Sequence, residues 1–338
     1  MTNKEYLLNR LKQIEDKKNK PESAKLLIID GTNAFIRSFS VNSTINPLGK
    51  HVGGLVGFLF SLSSVIRATN PTKVVIVFDG DSNSEKRKNI YPDYKSHRVG
   101  GRQTNYGMFS TIDEQEESET YQIVRLIEYL KCLPISLISI DMVEGDDVIG
   151  YIVNVCQERY EKITICSTDK DFIQLINDKT YVYNPRTKDM ITKHKAFNLY
   201  GIYPSNWVLY RSICGDKSDN IPNVSGIQIN SLKKLFPQFD YEDRIELEEL
   251  ALFLTESNIK SKKANLFLSQ LFQIKINEKL INLDNNFLLP NEKDDIMQIV
   301  EQENDSNITK FLSLCQMDLL GDIIKDPHSF FARFQYLK

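Results

Sequence analysis

Four short apolar runs constrain this chain more than any other feature, because each ends at, or leads into, carboxylates. They are Lys25-Leu-Leu-Ile-Ile-Asp30, Lys73-Val-Val-Ile-Val-Phe-Asp79, Ile135-Ser-Leu-Ile-Ser-Ile140 and Lys162-Ile-Thr-Ile-Cys166, with Tyr181-Val-Tyr183 as a candidate fifth. Continuous apolar runs of this length suit strands buried on both faces. Helical patterns fall between them, at 52–68, 118–132, 147–160 and 171–177. Strand alternating with helix predicts right-handed crossovers and an α/β fold, a mainly parallel sheet with helices on both faces. From about residue 196 the pattern is helical to the end. The expected division is a charged lead-in over 1–24, an α/β unit over 25–195 and a helical C-terminal region over 196–338.

In a parallel α/β sheet the carboxyl ends of the strands share one edge, where such folds bind ligands. The first strand ends in Asp30 and the second in Asp79. The third leads into Glu144-Gly-Asp146-Asp147 and the fourth into Asp169-Lys-Asp171. Each acid alone has a local explanation, as a turn residue after a strand or as the cap of the following helix. Together they would crowd like charges at contact distance, which is strongly unfavourable unless cations neutralise them. An all-oxygen donor set selects a hard ion, magnesium or manganese, over zinc. The histidines, His51, His97, His194 and His328, lie outside these segments. A further acidic pair, Asp216 and Asp219, falls in a helix–loop–helix hairpin over 204–236. It could complete the cluster or rigidify the loop.

Composition limits the alternatives. With 338 residues and 41% hydrophobic content the chain can bury a sizeable core. The cysteines Cys132, Cys156, Cys166, Cys214 and Cys315 are scattered and never spaced as C-x-x-C, which argues against a disulfide framework or a zinc knuckle. The charged N-terminal stretch lacks an apolar signal region, and Val52–Ile66 is too short and too polar to span a bilayer. A cytoplasmic monomer with no membrane partner is the expectation. The net charge of −3 becomes +6 when nine clustered carboxylates are set aside, which suits work on a phosphate polymer. Residues 84–120 stand apart, with a basic half (Lys86, Arg87, Lys88, Lys95, Arg98, Arg102), a Gly100-Gly101 junction and an acidic half (Asp113, Glu114, Glu116, Glu117, Glu119). They read as a long, partly mobile excursion from the sheet, and such loops are usually functional.

These residues resemble the 5′ nuclease superfamily of flap endonucleases, 5′ nuclease domains of bacterial DNA polymerase I and phage 5′ exonucleases. The resemblance rests on Asp30-Gly-Thr-Asn, Phe78-Asp79-Gly, Glu144-Gly-Asp-Asp147, Ser167-Thr-Asp-Lys-Asp171 and Gly215-Asp-Lys-Ser-Asp-Asn220-Ile-Pro. A sixth match, Arg87-x6-Tyr94-Lys95-Ser96-His97-Arg98, is similar to the basic foot of the family's helical arch. The order holds over roughly 25–236. Length and layout look most like the phage-encoded ribonuclease H branch of T-even type. That branch implies removal of RNA primers and flaps during replication, in the host cytoplasm.

The resemblance implies roles. Asp30, Asp79, Glu144, Asp146 and Asp147 would hold a first Mg2+ ion, directly or through waters, and Asp169, Asp171, Asp216 and Asp219 a second, with Asp147 able to bridge the two and Mn2+ able to substitute. Two such ions, roughly 3.5–4 Å apart, clamp the attacking and leaving oxygens of an in-line displacement. Lys95 and Arg98 would stabilise charge on the scissile phosphate. Arg87, Lys88, Arg102, Gly226, Lys233 and Lys234 would contact DNA or an RNA–DNA hybrid carrying a 5′ end or flap. The family hairpin usually continues Gly-Ile-Gly and then a basic residue. Here Gln228 and Asn230 stand in those places, which puts the hairpin's monovalent-ion site and duplex grip in question. Phe35 falls where the family stacks an aromatic on a terminal base, and it equally suits the core. Ser329-Phe-Phe-Ala-Arg-Phe334 is similar to tails that bind sliding clamps. A terminal helix docked on the core explains it better. Replication proteins such as a single-strand binding protein or the clamp are the implied partners.

Three rivals compete. A haloacid dehalogenase-type phosphatase needs a nucleophilic Asp two residues before the second Asp, and Ile28 occupies that place. A PIN-type ribonuclease shares the carboxylate cluster but lacks the arch and hairpin segments. A catalytically inert junction-DNA-binding module would be expected to have lost ligands.

Overall fold

The computed structural model describes residues 24–98, 104–105, 107–224, 227–257, 259, 261–285 and 287–337. Among these, six strands form one sheet: β1 (Lys25–Asp30), β2 (Lys73–Asp79), β3 (Ser136–Ile140), β4 (Lys162–Cys166), β5 (Thr180–Asn184) and β6 (Asp189–Ile191). Their order across the sheet is β3-β2-β1-β4-β5-β6. The first five run parallel, and β6 pairs antiparallel with β5. The parallel core matches the apolar runs. β6 is a three-residue return after a turn, too short to leave a pattern in sequence. The chain steps outward from β1 to β3 and then comes back to β4 on the other side of β1. The crevice between the carboxyl ends of β1 and β4 is therefore the topological switch point, where such sheets bind ligands.

Alternate residues of each strand serve opposite cores. Leu26, Ile28, Val75, Val77, Ile163 and Ile165 face one layer, and Leu27, Ile29, Val74 and Ile76 face the other. Full burial of such a side chain contributes roughly 1.5–3 kcal/mol. The second layer holds α1 (Gly31–Val41), α2 (Gly53–Thr69) and α3 (Ile112–Leu130), and the first holds α4 (Gly145–Cys156). α1 follows β1 without a loop, because Asp30 caps it by accepting a hydrogen bond from the Asn33 N–H. The Gly31-Thr32-Asn33 that follows Asp30 is its first turn. Phe35 is 1% exposed and belongs to the core, whereas Ile36 faces outward.

The acidic half of the 84–120 segment is not a mobile loop. It forms the first turns of α3, which starts earlier than the periodicity suggests because Thr111 and Glu114 form a reciprocal capping box. The acids there also complement the positive end of the helix dipole. The helices from Lys193 onward complete both layers, and Ile221, Leu280 and Ile281 form a smaller third cluster with Tyr94. Ile296 and Val300 join the first layer, and Phe311, Phe330, Phe331 and Phe334 join the second. Phe330, Phe331 and Phe334 are at most 2% exposed, so the C-terminal aromatics are a docked helix rather than a free clamp-binding tail. Among the described residues no helix is long and apolar enough to cross a membrane.

Candidate functional site

The site is built at the carboxyl edge of the sheet. Asp30 closes β1; its Oδ1 accepts from the Asn33 N–H at 3.0 Å and its Oδ2 from the Ser167 hydroxyl at 2.8 Å. Asp79 closes β2, and its Oδ1 accepts from the Gly145 N–H at 2.7 Å, tying it to the start of α4. The next residue must be small. A Cβ on Gly80 would sit 2.0 Å from the Ile140 carbonyl oxygen, so glycine lets the ends of β2 and β3 meet. Glu144 holds the cap position of α4, yet its side chain makes no capping bond. It turns instead to the Lys95 Nζ at 2.9 Å and the Tyr94 hydroxyl at 3.1 Å.

Asp30, Asp79, Glu144, Asp146 and Asp169 line one cavity of about 500 Å3, together with Arg37, Lys88 and Lys95. A second group lies beside it: carboxylate oxygens of Asp171, Asp216 and Asp219 fall within 4.8 Å of one another. Gly215 makes this possible. Its φ of 70° is left-handed, and a Cβ there would lie 2.6 Å from the Ile221 carbonyl oxygen. Asp216 and Ile221 then exchange both backbone hydrogen bonds, closing the loop that carries Asp219. Tyr94 joins the two groups, its hydroxyl being 3.1 Å from Glu144 and 3.3 Å from Asp219. Lys95, itself at a left-handed φ of 52°, donates its N–H to the Asp219 carbonyl at 2.9 Å.

Eight of the nine expected carboxylates thus reach one of two adjoining groups. Asp147 does not. It is fully buried, and its two oxygens accept from Arg87 Nη1 at 2.6 Å and Nη2 at 3.0 Å. Asp169, expected with the second set, lines the cavity of the first, while its Oδ1 accepts the Asp171 N–H at 2.9 Å. Arg87, expected on a nucleic-acid contact surface, is 3% exposed. Its Nε donates to the Leu280 carbonyl at 2.9 Å, so it braces the interior. Lys88 does line the cavity. Lys233 is held by Asp240 at 2.5 Å and lies over the Phe197 ring, whereas Lys234 is exposed. The Arg98 side chain, Arg102 and Gly226 lie outside the described residues.

Burial and mutual repulsion dominate the electrostatics. Burial, with the charges of Asp79 and Asp169, pushes the Asp30 carboxyl up to about 7. Burial, with Asp169, Asp216 and Asp219, pushes Asp171 up to about 7 against the pull of Arg211. Asp146 is raised well above its ordinary value by burial, then by Asp169, Asp30 and Glu144. Glu144 goes the other way. Burial opposes its charge, but Arg87 and Lys95 outweigh it and hold the carboxyl below its usual range. Lys95 is likewise raised, because Glu144, Asp219 and Asp146 overcome its burial.

The residues fit hard divalent cations. The donors are carboxylate oxygens, and two buried ones, Glu144 Oε1 and Asp171 Oδ1, have no hydrogen-bond partner. Raised carboxyl pKa values mark repulsion that a bound cation or a proton would relieve. Sequence reasoning gave no role to Tyr94, which links the groups, or to Arg211, whose guanidinium contacts Asp216 and lies 3.7 Å from Asp171. Tyr94 stood beside a recognised lysine. Arg211 carried no signal beyond a basic residue in the last turn of α5 (Trp207–Cys214).

Comparison with known proteins places this geometry. Residues 25–201 match the family model described as the 5′-3′ exonuclease, N-terminal resolvase-like domain. The 5′-3′ exonuclease of Aquifex aeolicus (strain VF5) is 29% identical over 303 residues, covering 82% of this chain and 98% of the relative. That of Buchnera aphidicola subsp. Schizaphis graminum is 30% identical over 74% of this chain and 86% of the relative. DNA polymerase I of Bacillus subtilis is 29% identical over 66% of this chain, but only 24% of the polymerase is covered. Among solved structures, the flap endonuclease of bacteriophage T5, in complex with DNA and metal ions, shares the fold. Its TM-score is 0.65 at 21% identity, over 82% of this chain and all of that one.

Proposed function

The chain belongs to the 5′-3′ exonuclease family, and from that membership we propose that it is a magnesium-dependent, structure-specific 5′ nuclease. Its substrates would be DNA and RNA–DNA hybrids carrying a 5′ end or flap, and its role the removal of RNA primers and flaps. The single observation that carries this reading is the convergence of eight carboxylates in two adjoining groups at the switch point, with Lys95 between them.

Asp30, Asp79, Glu144, Asp146 and Asp169 would hold one ion, and Asp171, Asp216 and Asp219 the other. When bound, such a pair activates a water and stabilises the attacking and leaving oxygens of an in-line phosphoryl displacement. The chain's own groups do the rest. Asn33 and Ser167 orient the Asp30 carboxylate, and the Gly145 N–H orients Asp79. Lys95, kept protonated by Glu144, presents a fixed positive charge to the scissile phosphate, where preorganised charge stabilises the transition state. Arg98 would act beside it. Lys88 extends the basic lining of the cavity toward the phosphate backbone. Residues 25–195 are the catalytic unit in this reading, and the 204–236 hairpin contacts the duplex and supplies the second ion's ligands. The T-even ribonuclease H branch, a monomeric state, a cytoplasmic place and replication-protein partners are parts of the same proposal. The T5 flap endonuclease of the same fold is described with DNA and metal ions, which supports metal-dependent action on DNA.

The test is cleavage of a 5′-labelled flap duplex, against blunt duplex and primer RNA–DNA, with magnesium and with chelator. Magnesium-dependent release of short 5′ products is expected. Binding of the flap without cleavage in magnesium or manganese would replace this reading with an inert junction-binding module.

A further inference from the structure

Two arginines, Arg87 buried and Arg211 partly buried, meet the acidic edge, and they are bound differently. Arg87 is saturated: Nε donates to the Leu280 carbonyl, and Nη1 and Nη2 donate to the two oxygens of Asp147. Arg211, in the last turn of α5, is not. Its Nη2 contacts Asp216 Oδ2 and lies 3.7 Å from Asp171 Oδ1. Its Nε is buried without an acceptor, and Asp171 Oδ1 is buried without a hydrogen bond. A permanent structural ion pair at this depth normally satisfies such atoms, because each unmet one costs stability. Arg211 supplies charge to the group through one hydrogen bond, to Asp216, and leaves its Nε and Asp171 Oδ1 unmet.

The charge matters because of what surrounds it. Three carboxylates whose oxygens lie within 4.8 Å repel one another strongly. The guanidinium offsets one unit of that charge through Asp216 Oδ2, with Asp171 Oδ1 next nearest. A divalent cation held by Asp171, Asp216 and Asp219 needs oxygens of the same carboxylates. A guanidinium and a metal ion cannot both sit against them at contact distance without mutual repulsion.

We infer that Arg211 is an internal counter-ion of the Asp171–Asp216–Asp219 group, in direct competition with a divalent cation for its oxygens. It is a positioning residue: it sets the divalent-ion concentration at which the second group fills and touches no substrate. The inference rests on the two-ion reading above and deepens it. A dynamic consequence follows: as the cation binds, the side chain gives up its Nη2 hydrogen bond to Asp216, and the unpartnered Nε has no bond to lose.

The test is Mn2+ binding to the full-length protein, followed by the electron paramagnetic resonance of the free ion, for wild type, Arg211→Gln and Arg211→Lys. Melting in chelator and in saturating Mn2+ accompanies it. Wild type should bind in a tighter and a weaker step. Arg211→Gln should tighten the weaker step by about fivefold or more, since a unit charge near the ion is removed. It should melt lower than wild type in chelator but not in Mn2+. Arg211→Lys, which keeps the charge, should stay within about twofold of wild type. An unchanged or weakened second step in Arg211→Gln, with lower melting in both conditions, would mark a structural salt bridge and overturn the inference. Arg211→Met repeats the measurement if the Gln variant does not fold, and failure of both to fold overturns it equally. A wild type that binds no Mn2+ would remove the two-ion reading itself. Two-step binding with an unaltered variant removes only the role of Arg211.

Discussion

Arg87 grips Asp147 with both terminal nitrogens, at 2.6 and 3.0 Å, in a pair from which solvent is almost wholly excluded. The pair joins the short helix Glu85–Lys88 at the foot of the basic segment to α4, and through the Leu280 carbonyl to the C-terminal helices. Burial opposes the Arg87 charge, but Asp147 and Glu144 more than offset it and raise its pKa. Arg87 therefore remains a cation, and Asp147 is neutralised from within the protein.

Removing one partner leaves the other charged and buried. Asp147→Asn or Arg87→Met should each lower stability by about 3–5 kcal/mol. Arg87→Met combined with Asp147→Leu should cost much less than the sum. Urea unfolding of the single and double variants checks this. Asp147→Asn should also keep the wild-type number of bound Mn2+ ions, and loss of one would return Asp147 to the ligand set.

Asp146 has the opposite character: among the described residues no arginine pairs with it, and burial with three neighbouring acids raises its pKa. Asp146→Asn should lower cleavage of a flap duplex more than about 100-fold, since even outer-shell changes at metal sites cost 10–100-fold. Flap binding should hold or tighten, because negative charge leaves the phosphate site. Near-normal cleavage rates would sink the assignment.

The parallel sheet and the convergence of acids at its carboxyl edge were legible because each depends on local sequence. Strand burial writes continuous apolar runs, and a parallel sheet brings the acids that follow those runs to one edge. The Arg87 partner of Asp147 was not legible, because adjacency in sequence is not adjacency in space. On α4, Asp146 and Asp147 point about 100° apart, one toward the cavity and the other toward Arg87. The partner that decides its role is 60 residues away. Arg211 and Tyr94 were missed for the same reason: their meaning comes from tertiary contacts with Asp171, Asp216, Glu144 and Asp219. α1 was missed because its capping residue also ends a strand.

Asp30 and Asp171 give a pH dependence with a definite sign. Each folded-state pKa stands near 7 against an ordinary 3.8, so the folded chain binds more protons than the unfolded chain between those values. The stability they contribute in chelator should therefore be fully present below about pH 4. It should fall as pH rises toward 7, at up to about 1.4 kcal/mol per group per pH unit. Magnesium competes with those protons, so the rise in melting temperature on adding it should be larger at pH 8 than at pH 5. A magnesium effect independent of pH would contradict these protonation states.

Lys95 separates charge stabilisation from binding. Its ammonium is tied to Glu144 at 2.9 Å, its N–H to the Asp219 carbonyl, and its left-handed backbone aims it across both carboxylate groups. A side chain held that firmly is preorganised for charge that develops on a phosphate, and loses little freedom when substrate arrives. Lys95→Ala should thus slow single-turnover cleavage by about 10²–10³-fold. The dissociation constant for the flap duplex should change by less than about threefold, since one phosphate contact among many is lost. Tyr94→Phe should give a smaller loss in the same rate, because the hydroxyl orients Glu144 without reaching substrate. A Lys95→Ala effect confined to affinity would make Lys95 a backbone contact and leave the transition-state charge to Arg98 and the ions.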